Sequence, residues 1–191
     1  MSFRGALPDG IQNPESLAVI DIGGGSTEIV GMVGKDSDRL FRFSFEMGCV
    51  RLTERFLATD PPVSSQIHEL RAFVKTQLNN QPAIINGLRG RALLGVAGTV
   101  TYLASSALGL GVFNPDRVHG YSLGLAAVQE LVKRFSGLTA ADRLGVGGMD
   151  KGRADVILAG ALILEEVMLA AGIPSISASV RGLRYGAVLT A

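Results

Sequence analysis

The chain reads as an α/β domain built on a mixed five-stranded sheet with helices on its faces. Three observations predict this. Up to residue 45, three short strand signals are joined by tight turns, which makes an antiparallel meander. Beyond it, helical patterning alternates with two further apolar runs, the way parallel strands are added to a sheet. The composition, 47% hydrophobic and 18% charged with 25 glycines, is that of a well-buried domain rather than a disordered or fibrous chain.

Residues 1–16 hold Pro8, Asp9, Gly10, Asn13 and Pro14 and read as loop. They are expected to be the residual end of an interdomain segment, leaving 17–191 as the domain proper. Leu17, Ala18, Val19 and Ile20 form the first strand signal, and Ile29, Val30, Gly31, Met32 and Val33 the second. In the third, over 40–45, Phe41, Phe43 and Phe45 alternate with Arg42 and Ser44. The chain then turns into a helix over 47–57, and Pro61-Pro62 interrupts it. A longer helix over 64–78 follows, with Ser64 as its cap and Ile67, Leu70, Val74 and Leu78 at helical spacing. A fourth strand is expected over 92–95. Helices are expected over 99–107, 123–135, near Ala140 and over 152–171. A fifth strand over 175–178 and a closing helix complete the order. The 152–171 helix is apolar nearly all round, so it is buried on most sides, and Ala159-Gly160-Ala161 lets another helix cross at short range.

A formal net charge of +1, no tryptophan and three tyrosines give no electrostatic or stacking case for a nucleic-acid or membrane partner. The charge-free stretch 92–115 is long enough to span a bilayer, but Gly95, Gly98, Gly109 and Gly111 break it into strand and helix. The single cysteine, Cys49, forms no internal disulfide and reads as a small core residue. With no basic-then-apolar start, a cytoplasmic location is expected.

Chemistry concentrates in Asp21-Ile22-Gly23-Gly24-Gly25-Ser26-Thr27-Glu28. Gly23, Gly24 and Gly25 remove every Cβ from the turn between the first two strands, so backbone N–H groups can converge on an anion. Ser26 and Thr27 add hydroxyls. A glycine-rich hairpin alone also serves as a plain turn; the flanking acids tip the reading. A carboxylate beside a phosphate is repulsive unless a cation lies between them, so Asp21 and Glu28 imply Mg²⁺ or Mn²⁺. Either acid could instead act as general base. The segment is not a P-loop, which needs a lysine before its Ser/Thr and feeds a helix.

A second small-residue turn, Gly95-Val96-Ala97-Gly98-Thr99-Val100-Thr101, leads into a helix. Gly95 and Gly98 allow close approach, and Thr99 and Thr101 can donate to an anion near the helix N-terminus, with Gly98 and Thr99 the candidates, although plain helix capping reads the same way. Arg153 near a helix start opposes the dipole and wants an anionic neighbour. Arg51 and Arg153 are candidates for a polyanion clamp; for Arg51 a salt bridge to Glu54 or a solvated face competes. Arg181 and Arg184 follow the last strand and are candidates to reach the cleft. His119 reads as a loop or structural histidine, and His68 as solvent-facing.

Taken together, Asp21 to Glu28, Met47-Gly48-Cys49-Val50-Arg51-Leu52-Thr53-Glu54, Gly95 to Thr99, Arg153 to Gly160 and Gly182 to Gly186 resemble, in order, the motifs of the Ppx/GppA family of exopolyphosphatases and guanosine pentaphosphate phosphatases. The resemblance runs from about residue 3 to the C-terminus. It implies an RNase H-like domain of the actin-like ATPase superfamily, the second of two facing each other across a cleft. The Asp21 turn then corresponds to the second phosphate motif, Gly95 to Thr99 to the adenosine motif, and the Arg153 helix to a connecting helix. Phe3-Arg4-Gly5-Ala6 resembles the residues just after the acidic segment that supplies the water-activating carboxylate, so the first domain and the general base are expected upstream of Met1.

The implied activity is metal-dependent release of terminal phosphate from polyphosphate, or conversion of guanosine pentaphosphate to tetraphosphate, weak in this chain alone. A non-catalytic alarmone-binding module and a fragment of an actin-like ATPase or sugar kinase are the alternatives. The face where a first domain would dock suggests a homodimer.

Overall fold

The computed structural model describes residues 14–33 and 36–181, without the side chains of Pro14 and 36–39. The elements run β1 (Leu17–Ile22), β2 (Thr27–Val33), β3 (Asp36–Phe45), α1 (Cys49–Phe56), α2 (Ser64–Asn79), α3 (Pro82–Leu88), β4 (Ala92–Val96), α4 (Ala97–Ala107), α5 (Pro115–Val118), β5 (Ser122–Gly124), α6 (Leu125–Ser136), α7 (Ala140–Arg143), α8 (Lys151–Ala154), α9 (Ile157–Ala171) and β6 (Ser175–Ala178).

One mixed sheet joins all six strands in the order β3-β2-β1-β4-β6-β5. The meander is antiparallel, β4 joins β1 in parallel, and β6 joins β4 in parallel. Among the described residues the sheet has six strands rather than the expected five. The extra one, β5, is three residues long and pairs antiparallel with β6. Ser122-Leu123-Gly124 has no apolar run to announce it, and its leucine reads as the start of the α6 pattern.

Period-2 alternation sorts the sheet into two faces. Ala18, Ile20 and Ile22 of β1 join Ile29, Phe45, Leu93, Ile176 and Ala178 in a large core cluster, which α1, α2, α3, α4, α6 and α9 all feed. On the opposite face Val19, Met32, Leu94 and Val96 form a smaller buried cluster with Val30 against it. The expected closing helix lies outside the described residues, as does Arg184.

Several helix readings change in detail. Val63, not Ser64, holds the cap position of α2, and its N–H donates to Gln66 Oε1 at 3.3 Å. α3, which the sequence reading lacks, starts on Pro82, where a missing N–H costs nothing. α6 begins at Leu125 because β5 takes Leu123. The expected 152–171 helix divides into α8 and α9 around Asp155 and Val156, and the Asp150 carboxylate caps the first piece by accepting from the Arg153 N–H at 3.0 Å. α9 is buried without a break from Ile157 to Met168. A Cβ on its Gly160 would lie 2.5 Å from the Thr99 methyl and 3.5 Å from Cys49 Cβ, so the glycine permits the close crossing that its neighbours suggested. Among the described residues no helix is long and apolar enough to cross a membrane.

Candidate phosphate and metal site

β1 and β4 run parallel with Asp21 opposite Val96, so the two small-residue turns that follow them open at the same sheet edge. Ligands of such sheets bind at that edge.

The first turn closes with the Gly23 N–H donating to the Ser26 carbonyl at 2.9 Å. Its carbonyls are turned toward α1: Gly23 O accepts from Cys49 N–H at 2.9 Å, and Gly24 O accepts from Val50 and Arg51 N–H, each at 3.0 Å. No side chain caps α1, so the glycine turn is its cap. Among the described residues the N–H groups of Gly24, Gly25 and Ser26 have no protein acceptor. Gly24 and Gly25 are exposed at the tip. Docking this tight requires Gly48, whose Cβ would fall 2.4 Å from the Gly24 carbonyl. The sequence reading gave Gly48 no role. Its signal was a glycine at a helix start with no Ser, Thr, Asp or Asn to cap it.

Asp21 and Glu28 are direct cross-strand partners and therefore share a face. The Asp21 carboxyl is pushed above the usual carboxylate range, first by burial and then by the negative charge of Glu28. Glu28 Oε1 accepts from Ser26 Oγ at 2.5 Å and from Ser44 Oγ at 2.9 Å. Like charges placed directly opposite are destabilising, and a divalent cation between them removes that cost. The pair suits Mg²⁺ or Mn²⁺, which bind through one or two carboxylates and complete their shell with water and phosphate oxygens. Among the described residues no cluster of three or more His, Cys, Asp or Glu forms a closed metal site.

The hydroxyls read as phosphate donors are corrected. Thr27 is buried and donates to the Met47 carbonyl at 2.6 Å. Thr99 is buried and donates to the Ile22 carbonyl at 2.8 Å, tying the second turn to the end of β1. Ser26 spends its hydroxyl on Glu28, leaving its N–H as the group that faces no acceptor. Gly95 lies within β4, where a Cβ would strike Val100 and Ile176.

At the second turn, a Cβ on Gly98 would lie 2.4 Å from the guanidinium carbon of Arg153, so the arginine rests against the start of α4. The same guanidinium lies 6.0 Å from the Tyr102 ring centre. Ala97, between the strand and Gly98, has φ of +65°, a left-handed conformation that a residue with a Cβ seldom adopts. Arg51 pairs with Glu46 at 2.9 Å rather than with Glu54, and its Nη2 lies 3.9 Å from the Cβ position of Gly25. The Arg181 N–H donates to Ser179 Oγ at 3.2 Å. His119 ends α5 with its Nδ1 buried and unpartnered among the described residues. His68 is exposed. Burial pushes the Cys49 thiol up, opposed by contact with Thr99 and the charge of Arg153.

The model of the Ppx/GppA phosphatase family matches residues 1–191. The chain belongs to the Ppx/GppA family. Exopolyphosphatase 2 of Mycobacterium tuberculosis is 35% identical over 167 residues, covering 87% of this chain and 51% of that protein. Exopolyphosphatase 1 of Mycobacterium leprae is 30% identical over 171 residues, covering 89% and 50%. Among solved structures, an exopolyphosphatase-like protein superposes with a TM-score of 0.88 at 33% identity, covering 98% of this chain and 63% of that one. The Aquifex aeolicus PPX-GPPA enzyme gives 0.81 at 27% identity, covering 92% and 56%. The chain spans about half the length of the curated relatives it matches.

Proposed function

We propose that this chain supplies one wall of a hydrolytic site that removes terminal phosphate from inorganic polyphosphate. The observation that carries this reading is the Asp21–Glu28 pair beside a turn whose Gly24, Gly25 and Ser26 N–H groups lack protein acceptors. The exopolyphosphatases among its relatives support the substrate class.

The reaction is in-line attack of water on a terminal phosphoryl group, governed by positioning and electrostatic stabilisation. The three N–H groups donate to equatorial oxygens, where charge gathers in the transition state. Asp21 and Glu28 would hold Mg²⁺ or Mn²⁺, which would supply charge neutralisation for the phosphoryl group. Arg153 offers its fork to a second phosphate group. Arg51, exposed and only weakly held by its surface pair with Glu46, can swing to the chain of the polyanion. The family resemblance places the water-activating carboxylate in an acidic segment N-terminal to this domain, where it would complete the site built on these donors. The terminal phosphate of guanosine pentaphosphate presents the same group to the same donors.

Phosphate release from polyphosphate, guanosine pentaphosphate and ATP, measured with Mg²⁺, tests the reading. The chain should work faster when a preceding first domain is supplied, and Glu28→Gln should remove the gain. Binding of guanosine tetraphosphate that ignores both Mg²⁺ and Asp21→Ala would favour a sensor instead. A response to ATP but not polyphosphate would favour an actin-like ATPase or sugar kinase. The same preparation in light scattering tests the homodimer, against which a monomer would count.

A further inference from the structure

We infer that Ser44 is a positioning residue for Glu28: with Ser26 it fixes one carboxylate oxygen so that the other is presented to the cation. The inference rests on the proposed metal site and adds to it a residue on a different strand.

Three residues lie in one row across the sheet. Ser44 of β3 is the register partner of Glu28 on β2, and Glu28 is the register partner of Asp21 on β1. Directly opposed residues in antiparallel strands share a face with their Cβ atoms about 5 Å apart. The row therefore places a hydroxyl, a carboxylate and a second carboxylate side by side at the ligand edge. Ser44 Oγ donates to Glu28 Oε1 at 2.9 Å from one side, and Ser26 Oγ donates to the same atom at 2.5 Å from the turn. Glu28 Oε2 has no partner among the described residues.

That asymmetry is what orients the group. A glutamate has several free torsions, and ordering it costs conformational entropy. Two donors on a single oxygen remove most of that freedom before any ligand arrives. Left free, Oε2 is the atom of Glu28 open to a cation shared with Asp21. Without Ser44 the carboxylate keeps only Ser26, which sits on the turn itself rather than on a neighbouring strand.

Ser44 has little to do for the fold. It is exposed, and its hydrogen bond lies at the surface, where such contacts contribute little to stability. Its strand neighbours Phe43 and Phe45 do the packing, with their rings 4.7 Å apart. Removing the hydroxyl should therefore leave folding unchanged and alter cation binding, a separation that a structural role would not produce.

The test is binding of Mn²⁺ alone to the chain, followed by loss of the free-ion electron paramagnetic resonance signal, with thermal unfolding recorded on the same samples. Ser44→Ala should weaken Mn²⁺ binding about tenfold, the effect of one charge-assisted hydrogen bond. Ser44→Thr, which keeps the hydroxyl, should restore it. The melting temperature of both variants should stay within about 2 °C of wild type, as for other exposed substitutions. Because Ser44 acts through Glu28, adding Ser44→Ala to Glu28→Gln should cause no further loss. Wild-type Mn²⁺ affinity in Ser44→Ala would overturn the role of Ser44 and leave the metal site standing. Absence of Mn²⁺ binding to the wild-type chain would overturn the metal site and this inference with it.

Discussion

At the scale of single residues, Asp21 carries the sharpest physical signature. Burial and the facing Glu28 charge raise its folded proton affinity above that of an ordinary carboxylate. Between the unfolded value, about 3.9, and the raised folded value, the folded state holds more protons. Stability therefore falls as pH rises through that window, and the cost is complete above the folded value. Asp21→Asn should thus unfold at higher urea than wild type at about pH 7 without divalent cations. The advantage should vanish below about pH 3.9, where both chains are uncharged at this position. Lower stability of the variant at neutral pH would show that the carboxylate is not penalised. Alternation explains which residues could be read from sequence and which could not. Because Asp21 and Glu28 share one face of the sheet, Ile22 and Thr27 must face the other, toward the core. Thr27 was therefore excluded by a rule already in hand, whereas Ser44 depended on the register of a strand 16 residues away.

Among the elements, α1 and the glycine turn form one unit, since each satisfies the other's backbone groups. Gly48→Ala drives a methyl into Gly24 and must part them. The expected cost is about 1–3 kcal/mol in urea unfolding, together with loss of polyphosphate binding. Wild-type stability would mean that the turn can shift without leaving the helix. A second joint lies between α2 and α9. Arg71 sits 2.7 Å from Glu166 and 2.8 Å from Glu165, off the hydrogen-bonding direction in the latter case, with both carboxylates buried. Arg71→Ala strands two buried acids and should cost about 3–5 kcal/mol, while Lys75→Ala, whose ammonium lies 3.8 Å from Glu166 and is largely exposed, should cost under about 1 kcal/mol. Equal costs would contradict the buried clamp. The burial of α9 was legible from its apolar run. The clamp was not, because Glu165 and Glu166 lie past the end of that run and their partner is on another helix. α3 escaped notice for a local reason: seven residues containing Asn86 and Gly87 look like a turn.

For the whole molecule, the meander followed by parallel additions was legible because strand periodicity and glycine placement agree over long stretches. The joining of the two turns was not, since it depends on Cys49, Thr99 and Gly160 meeting beneath them. Thr99 ties α4 to the end of β1, and Gly160 brings α9 against both Thr99 and Cys49. The glycine turn and the acid pair are thus held on one packed base, and as the proposed phosphate and metal groups they should respond to ligands as a unit. A ligand at a hundred times its Kd adds about 2.7 kcal/mol, or roughly 5–10 °C in a chain of this size. Mg²⁺ and polyphosphate together should therefore raise the melting temperature by more than the sum of their separate shifts, because each relieves repulsion that opposes the other. Glu28→Gln should reduce the joint shift toward that of polyphosphate alone. Equal shifts by polyphosphate with and without Mg²⁺ would separate the N–H donors from the carboxylates and refute a shared site.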